Sequence, residues 1–170
     1  MRRLRKLSAC FCGIFHLGFG HLEMLFCKLK KEVMGDQVTS QPLSNQRVLV
    51  VDDSKDICFL WRRIFEKQGA EVITAESADA AISALQGFAP DIIVSDLSMP
   101  GSDGFELLGR LKTLCLQRRT GGEVPVLAVS GHDGPGLREK SIQAGFADYV
   151  LKPVTASELV SKVAGLVTKH

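Results

Sequence analysis

An α/β fold of five parallel strands and five helices is predicted by three features of this chain. Four short apolar runs each end on a polar group. Val48-Leu49-Val50-Val51 leads into Asp52–Asp53, Ile92-Ile93-Val94 into Asp96, Val124 to Val129 into Ser130, and Ala147 to Leu151 into Lys152–Pro153. The first three runs lack polar alternation, as strands covered on both faces of a parallel sheet do. Segments of helical spacing separate the runs, which supplies the crossovers that parallel strands need. In such sheets ligands bind beyond the carboxyl ends of the strands, where these polar groups fall.

The elements follow in order. Ile57, Leu60, Trp61, Ile64 and Phe65 make an apolar stripe, with Ser54 as N-cap and Gly69 as stop. Glu71 to Ala75 is a weaker strand candidate, and so is Ala147 to Leu151. Ala80, Ala81, Ala84 and Leu85 give a small-residue stripe, stopped by Gly87 and Pro90. Phe105, Leu107, Leu108, Leu111 and Leu114 give a third helix, with Asp103 near its start. The fourth is short, carries only Leu137 and Ile142 as large apolar residues, and ends at Gly145. Leu159, Val160, Val163, Leu166 and Val167 form the fifth, opened by Thr155 and Glu158 in capping-box spacing.

Each polar ending alone also fits a bland role: an acidic pair can cap a helix, Ser130 can open a turn, Lys152 can be a solvated surface lysine, and Tyr149 a half-buried strand residue. Order and spacing change this. Val50-Val51-Asp52-Asp53-Ser54, Asp96-Leu97-Ser98-Met99-Pro100-Gly101-Ser102-Asp103-Gly104, Val129-Ser130-Gly131 and Gly145-Phe146-Ala147-Asp148-Tyr149-Val150-Leu151-Lys152-Pro153 occur in one order and at set separations. From about Arg47 to about Lys169 the chain resembles the receiver domain of two-component response regulators.

The resemblance implies a flavodoxin-like (βα)5 three-layer sandwich. It implies that Asp96 is a phosphoacceptor, taking a phosphoryl group from a histidine kinase or histidine phosphotransfer protein. Asp53 and Asp96 would bind Mg²⁺ directly, Asp52 through water, and the backbone carbonyl of Ser98 would complete the protein's share. Lys152 would neutralise the transferring oxygens, and Ser130 would bond a phosphoryl oxygen. Tyr149 would move in behind Ser130, switching the face of the fourth helix, fifth strand and fifth helix toward a downstream protein target. The Lys152–Pro153 bond is expected to be cis. Ser98 and His132, two positions past Asp96 and Ser130, are expected to tune acyl-phosphate lifetime. An intermediate carrier that hands the group on to a phosphotransfer protein would use the same residues. A flavodoxin-like binding module that is never phosphorylated is the remaining alternative.

The chain has 170 residues, 45% of them hydrophobic, which suits one domain plus an extension. The division expected is a leader and polar linker over 1–46 and the receiver over 47–170. Before Gly35, seven lysines and arginines face Glu23 and Glu32, a surplus of five; the net charge of +2 leaves the remainder at −3. An acidic receiver with room after Lys152 for only one helix suggests a stand-alone module with no nucleic-acid partner. Leu7 to Phe26 is apolar and flanked by basic residues, which admits a membrane anchor or signal segment. His16, His21 and Glu23 interrupt it, no small-residue cleavage site follows, and Cys10, Cys12 and Cys27 lack zinc spacing. The expectation is an unstructured leader or a start assigned upstream of Met34, with no membrane partner. A phosphorelay works in the cytoplasm, so no disulfide is expected; Cys58 and Cys115 read as small core or half-buried residues. Cys115 to Glu123 is longer than a minimal loop, either a surface excursion or a partner contact.

Overall fold

The computed structural model describes residues 41–101, 103–117, 121–132 and 134–168. The expectations for the leader, including Met34 as a start, lie outside these residues. Strand β1 is Arg47–Val51, β2 Glu71–Ala75, β3 Ile92–Asp96, β4 Val126–Ser130 and β5 Asp148–Leu151. The helices are α1 Lys55–Lys67, α2 Ala78–Ala84, α3 Gly104–Thr113, α4 Leu137–Ala144 and α5 Ala156–Thr168. All strands pair parallel in the order β2-β1-β3-β4-β5. The order reverses between β1 and β3, which makes that edge the topological switch point.

Strand residues alternate between two cores. Val48, Val50, Ile92, Val94, Leu127 and Val129 meet Cys58, Trp61 and Phe65 of α1 and Leu159, Val163, Leu166 and Val167 of α5. Leu49, Val51, Ile93, Val126 and Ala128 meet Ala78 and Ala81 of α2, Leu107, Leu108 and Leu111 of α3, and Phe146 and Tyr149. The period of two sends successive side chains to opposite faces, and both faces are dry. This is why the runs are apolar without alternation.

Side-chain caps set several helix starts. Ser54 accepts from the Ile57 N–H, Ser77 from Ala80, Asp103 from Glu106 and Thr155 from Glu158. Gly145, at φ 109°, closes α4 in the left-handed region that favours glycine.

Several expectations need correction. Leu60, expected in the α1 stripe, is 51% exposed. At about 100° per residue it lies well round the helix from Cys58, Trp61 and Phe65. Ala80, Leu114 and Ile142 are likewise exposed, and Ala78 joins Ala81 as the buried face of α2. Cys115 is exposed rather than half-buried. Val124 donates to the Leu116 carbonyl, and Gln117 bridges Glu123 antiparallel, so the loop closes on itself and β4 starts only at Val126. Upstream, Leu43 is fully buried in the α1–α5 core and donates its N–H to the Gln68 carbonyl, so packing reaches into the segment read as linker.

One close approach joins the fold to its functional edge. A Cβ on Gly104 would lie 2.6 Å from the Asp96 carbonyl oxygen and 3.0 Å from the Leu97 Cα. Both are backbone atoms that cannot swing aside. Gly104→Ala is therefore expected to lower stability in urea denaturation by roughly 1–3 kcal/mol, because the loop after Asp96 must shift.

Candidate functional site

Register carries the polar endings to one place. Val51 pairs with Ser95, which sets Asp52 level with Asp96. Asp96 pairs with Val129, and Ser130 with Leu151. The Lys152 N–H then donates to the Ser130 carbonyl at 2.7 Å, one residue beyond the ladder. The Lys152–Pro153 bond is cis.

The Lys152 ammonium donates to Asp52 Oδ2 at 2.7 Å and to Asp96 Oδ1 at 2.8 Å. Both carboxylates are nearly inaccessible, with Asp52 1% and Asp96 4% exposed. Their other oxygens accept backbone N–H groups: Asp52 Oδ1 from Ser54 at 2.9 Å and Asp96 Oδ2 from Ser98 at 2.8 Å. Asp53 is exposed at the rim. Burial works against the Lys152 charge, but its hydrogen bonds to Asp52 and Asp96 and their negative charges outweigh it, holding the pKa above the ordinary lysine value.

Ser130 is fully buried at the end of β4. Its hydroxyl donates to the His132 carbonyl at 3.2 Å and accepts the His132 N–H at 3.1 Å. The same carbonyl accepts the Tyr149 hydroxyl at 2.9 Å. Tyr149 is thus buried and turned inward, not waiting outside. The exposed His132 ring reaches over to Ser98, with Nδ1 3.3 Å from the Ser98 hydroxyl.

The family model described as the response regulator receiver domain matches residues 48–164. This chain belongs to that family. An uncharacterized 14.6 kDa protein of Leptolyngbya boryana is 38% identical over 123 residues, spanning 72% of this chain and 91% of its own length. The transcriptional regulatory protein PrrA of Mycobacterium bovis is 32% identical over 128 residues, which is 75% of this chain. This chain's match spans 52% of PrrA and 14% of the sensor protein GacS of Pseudomonas syringae, so both relatives extend well beyond it. Among solved structures, the receiver domain of the Francisella response regulator 1452 superposes with a TM-score of 0.66 at 30% identity, covering 74% of this chain and 98% of that one. The receiver is a signalling domain of two-component systems, and its flavodoxin-like fold is the one observed.

The donor set of the receiver suits a divalent cation. Among the described residues, no three His, Cys, Asp or Glu side chains already form a metal-holding group. Instead an ammonium bridges two buried carboxylates, and the exposed Asp53 follows Asp52 in the chain. Three carboxylates against one ammonium leave two negative charges, which Mg²⁺ would balance with oxygen ligands and room for water.

Three features around the site escaped the sequence reading. Trp61 lies beneath Lys152, whose Nζ is 5.1 Å from the ring centroid; at its helical spacing a tryptophan reads simply as core. The Cys58 thiol donates to the Asp52 carbonyl at 3.2 Å. Burial first, then the charge of Asp52, pushes that thiol up to about 11. Asp148 is clamped between α4 and α5: it accepts from Arg138 at 3.0 Å and from Lys162 at 2.6 Å, and Arg138 also donates to the Tyr149 carbonyl. No local pattern pairs residues from three separate elements.

Burial opposes the Asp148 charge, but Lys162, the Tyr149 N–H and Arg138 together hold its pKa below the ordinary aspartate value. A depressed carboxylate stabilises the fold above its unfolded pKa, and that contribution fades as pH falls through the folded one. Wild type should exceed Asp148→Asn in stability by about 1 kcal/mol at neutral pH. In urea titrations across pH, the gap should close below about pH 4.

Proposed function

We propose that this receiver takes a phosphoryl group on Asp96 from the phosphohistidine of a histidine kinase or histidine phosphotransfer protein, and relays the signal by binding a downstream protein. The observation that carries this reading is the pair of buried carboxylates, Asp52 and Asp96, sharing the Lys152 ammonium at the switch point of a receiver fold. A carboxylate oxygen of Asp96 attacks phosphorus; the O–P bond forms as the N–P bond breaks, and the electron pair leaves on the imidazole nitrogen. Asp52, Asp53, Asp96 and the Ser98 carbonyl would hold Mg²⁺, which when bound offsets charge on the phosphoryl oxygens.

Lys152 already points at Asp96 and carries a firm positive charge, so it can meet a phosphoryl oxygen with little movement. Ser130 has its hydroxyl turned to the His132 carbonyl. A phosphoryl oxygen would compete for that hydrogen, leaving the carbonyl to Tyr149 alone. The new charge and acceptors thereby reach the α4–β5–α5 face, which Arg138, Asp148 and Lys162 tie together. Among the described residues no helix is long and apolar enough to cross a membrane, and a cytoplasmic relay is part of this reading.

Incubation with Mg²⁺ and acetyl phosphate should add one phosphoryl group by intact-mass analysis. Asp96→Asn should show none, and chelating the metal should suppress the adduct in wild type. A persistent adduct on Asp96→Asn would place the chemistry elsewhere. Ser98 and His132 meet across the mouth of the site, so replacing either by alanine should change the decay rate of the acyl phosphate without abolishing its formation. Equal decay in wild type and both variants would remove them from any role in lifetime.

A further inference from the structure

Lys152 has two kinds of partner. Two carboxylates accept from its ammonium at 2.7 and 2.8 Å. The ammonium also lies over the Trp61 ring, with Nζ 5.1 Å from its centroid. The geometry points to Trp61 as a positioning residue that holds the Lys152 ammonium at the phosphoacceptor through its indole face. The inference rests on the phosphoacceptor reading of Asp96 and adds a residue to its machinery.

A lysine ammonium sits on a flexible four-carbon stem and loses rotamer freedom when fixed in one place. Two hydrogen bonds to carboxylates still leave the stem some freedom to pivot, which a further contact reduces. An indole face is the strongest side-chain π partner for a cation, and the attraction grows as water is excluded. The ring is shielded from water, with Trp61 3% exposed, and the cation partly so, with the Lys152 side chain 24% exposed. The platform is rigid: Trp61 belongs to α1 and to the core that contains Phe65, Val150 and Leu159, with Val154 packed against it. Helix α1 is itself anchored by its N-cap Ser54, whose N–H bonds Asp52. One short segment, from Asp52 to Trp61, thus supplies both a carboxylate and the aromatic face for the same ammonium. A leucine would fill the core at this point but offers the cation nothing. Trp61 is the sole tryptophan of the chain, so tryptophan emission reports the surroundings of this one indole.

The test compares Trp61→Leu, Trp61→Phe and wild type in phosphorylation by acetyl phosphate with Mg²⁺, alongside urea denaturation. Trp61→Leu should be phosphorylated more slowly by about three- to tenfold, the range a partly desolvated cation–π contact implies. Trp61→Phe should recover most of the rate even where its stability falls as far as that of Trp61→Leu. In a second measurement, tryptophan emission of wild type and Lys152→Met should differ in peak position or yield. A folded Trp61→Leu with the wild-type rate, equal rate losses in both variants, or unchanged emission in Lys152→Met would each overturn the proposal. Absence of any adduct on wild type would defeat the phosphoacceptor reading instead, and the emission comparison would then judge the contact by itself.

Discussion

A single ammonium between two buried carboxylates ties the functional edge of this protein together. Asp52 leaves β1, Asp96 ends β3 and Lys152 follows β5, so the contact spans four adjacent strands with β4 between the last two. Buried charges are tolerated only when paired and hydrogen-bonded. Here each carboxylate also accepts a backbone N–H two residues ahead, which curls the chain back at the end of its strand. The turns after β1 and β3 are therefore shaped by the same groups that would do the chemistry. Register is equally constrained, because a slip of one residue would exchange the side chains of the two cores and carry a strand's terminal aspartate away from the lysine.

A second constraint runs from the site to the surface. One carbonyl, that of His132, accepts from both Ser130 and Tyr149. In the proposed phosphorylation, a change at the Ser130 hydroxyl would reach the Tyr149 hydroxyl through that one shared acceptor. Tyr149 is in turn joined to α4 through Arg138, which donates to its carbonyl, and to α5 through neighbouring Asp148 and Lys162. Around Tyr149 the fold offers a discrete hydrogen-bond exchange, the kind of element that two states can share.

Much of this was legible from local chemistry. Ser54, Asp103 and Gly145 mark helix ends because capping depends on side-chain oxygens and positive φ within a few residues. The β1 and β3 runs are legible because a strand buried on both faces tolerates few polar groups. Leu60 and Ile142 were misplaced because helical spacing alone does not say how wide the covered face is; the neighbouring layer decides that. Leu43 lay hidden in a polar stretch, where one apolar residue makes no period. The hairpin-like closure at Gln117 and Glu123 took Val124 from β4 by pairing it with Leu116.

The order of elements, the two-sided burial of the sheet and the residue types at its carboxyl edge follow from local propensity and from which side chains tolerate water. Packing across the sheet sets the rest: Lys152 bridges Asp52 and Asp96, Trp61 lies against the ammonium, Tyr149 is already turned inward, and Asp148 joins α4 to α5. Those contacts join residues that strand order and register bring together across the chain, and no nearest-neighbour pattern records a distance of that kind.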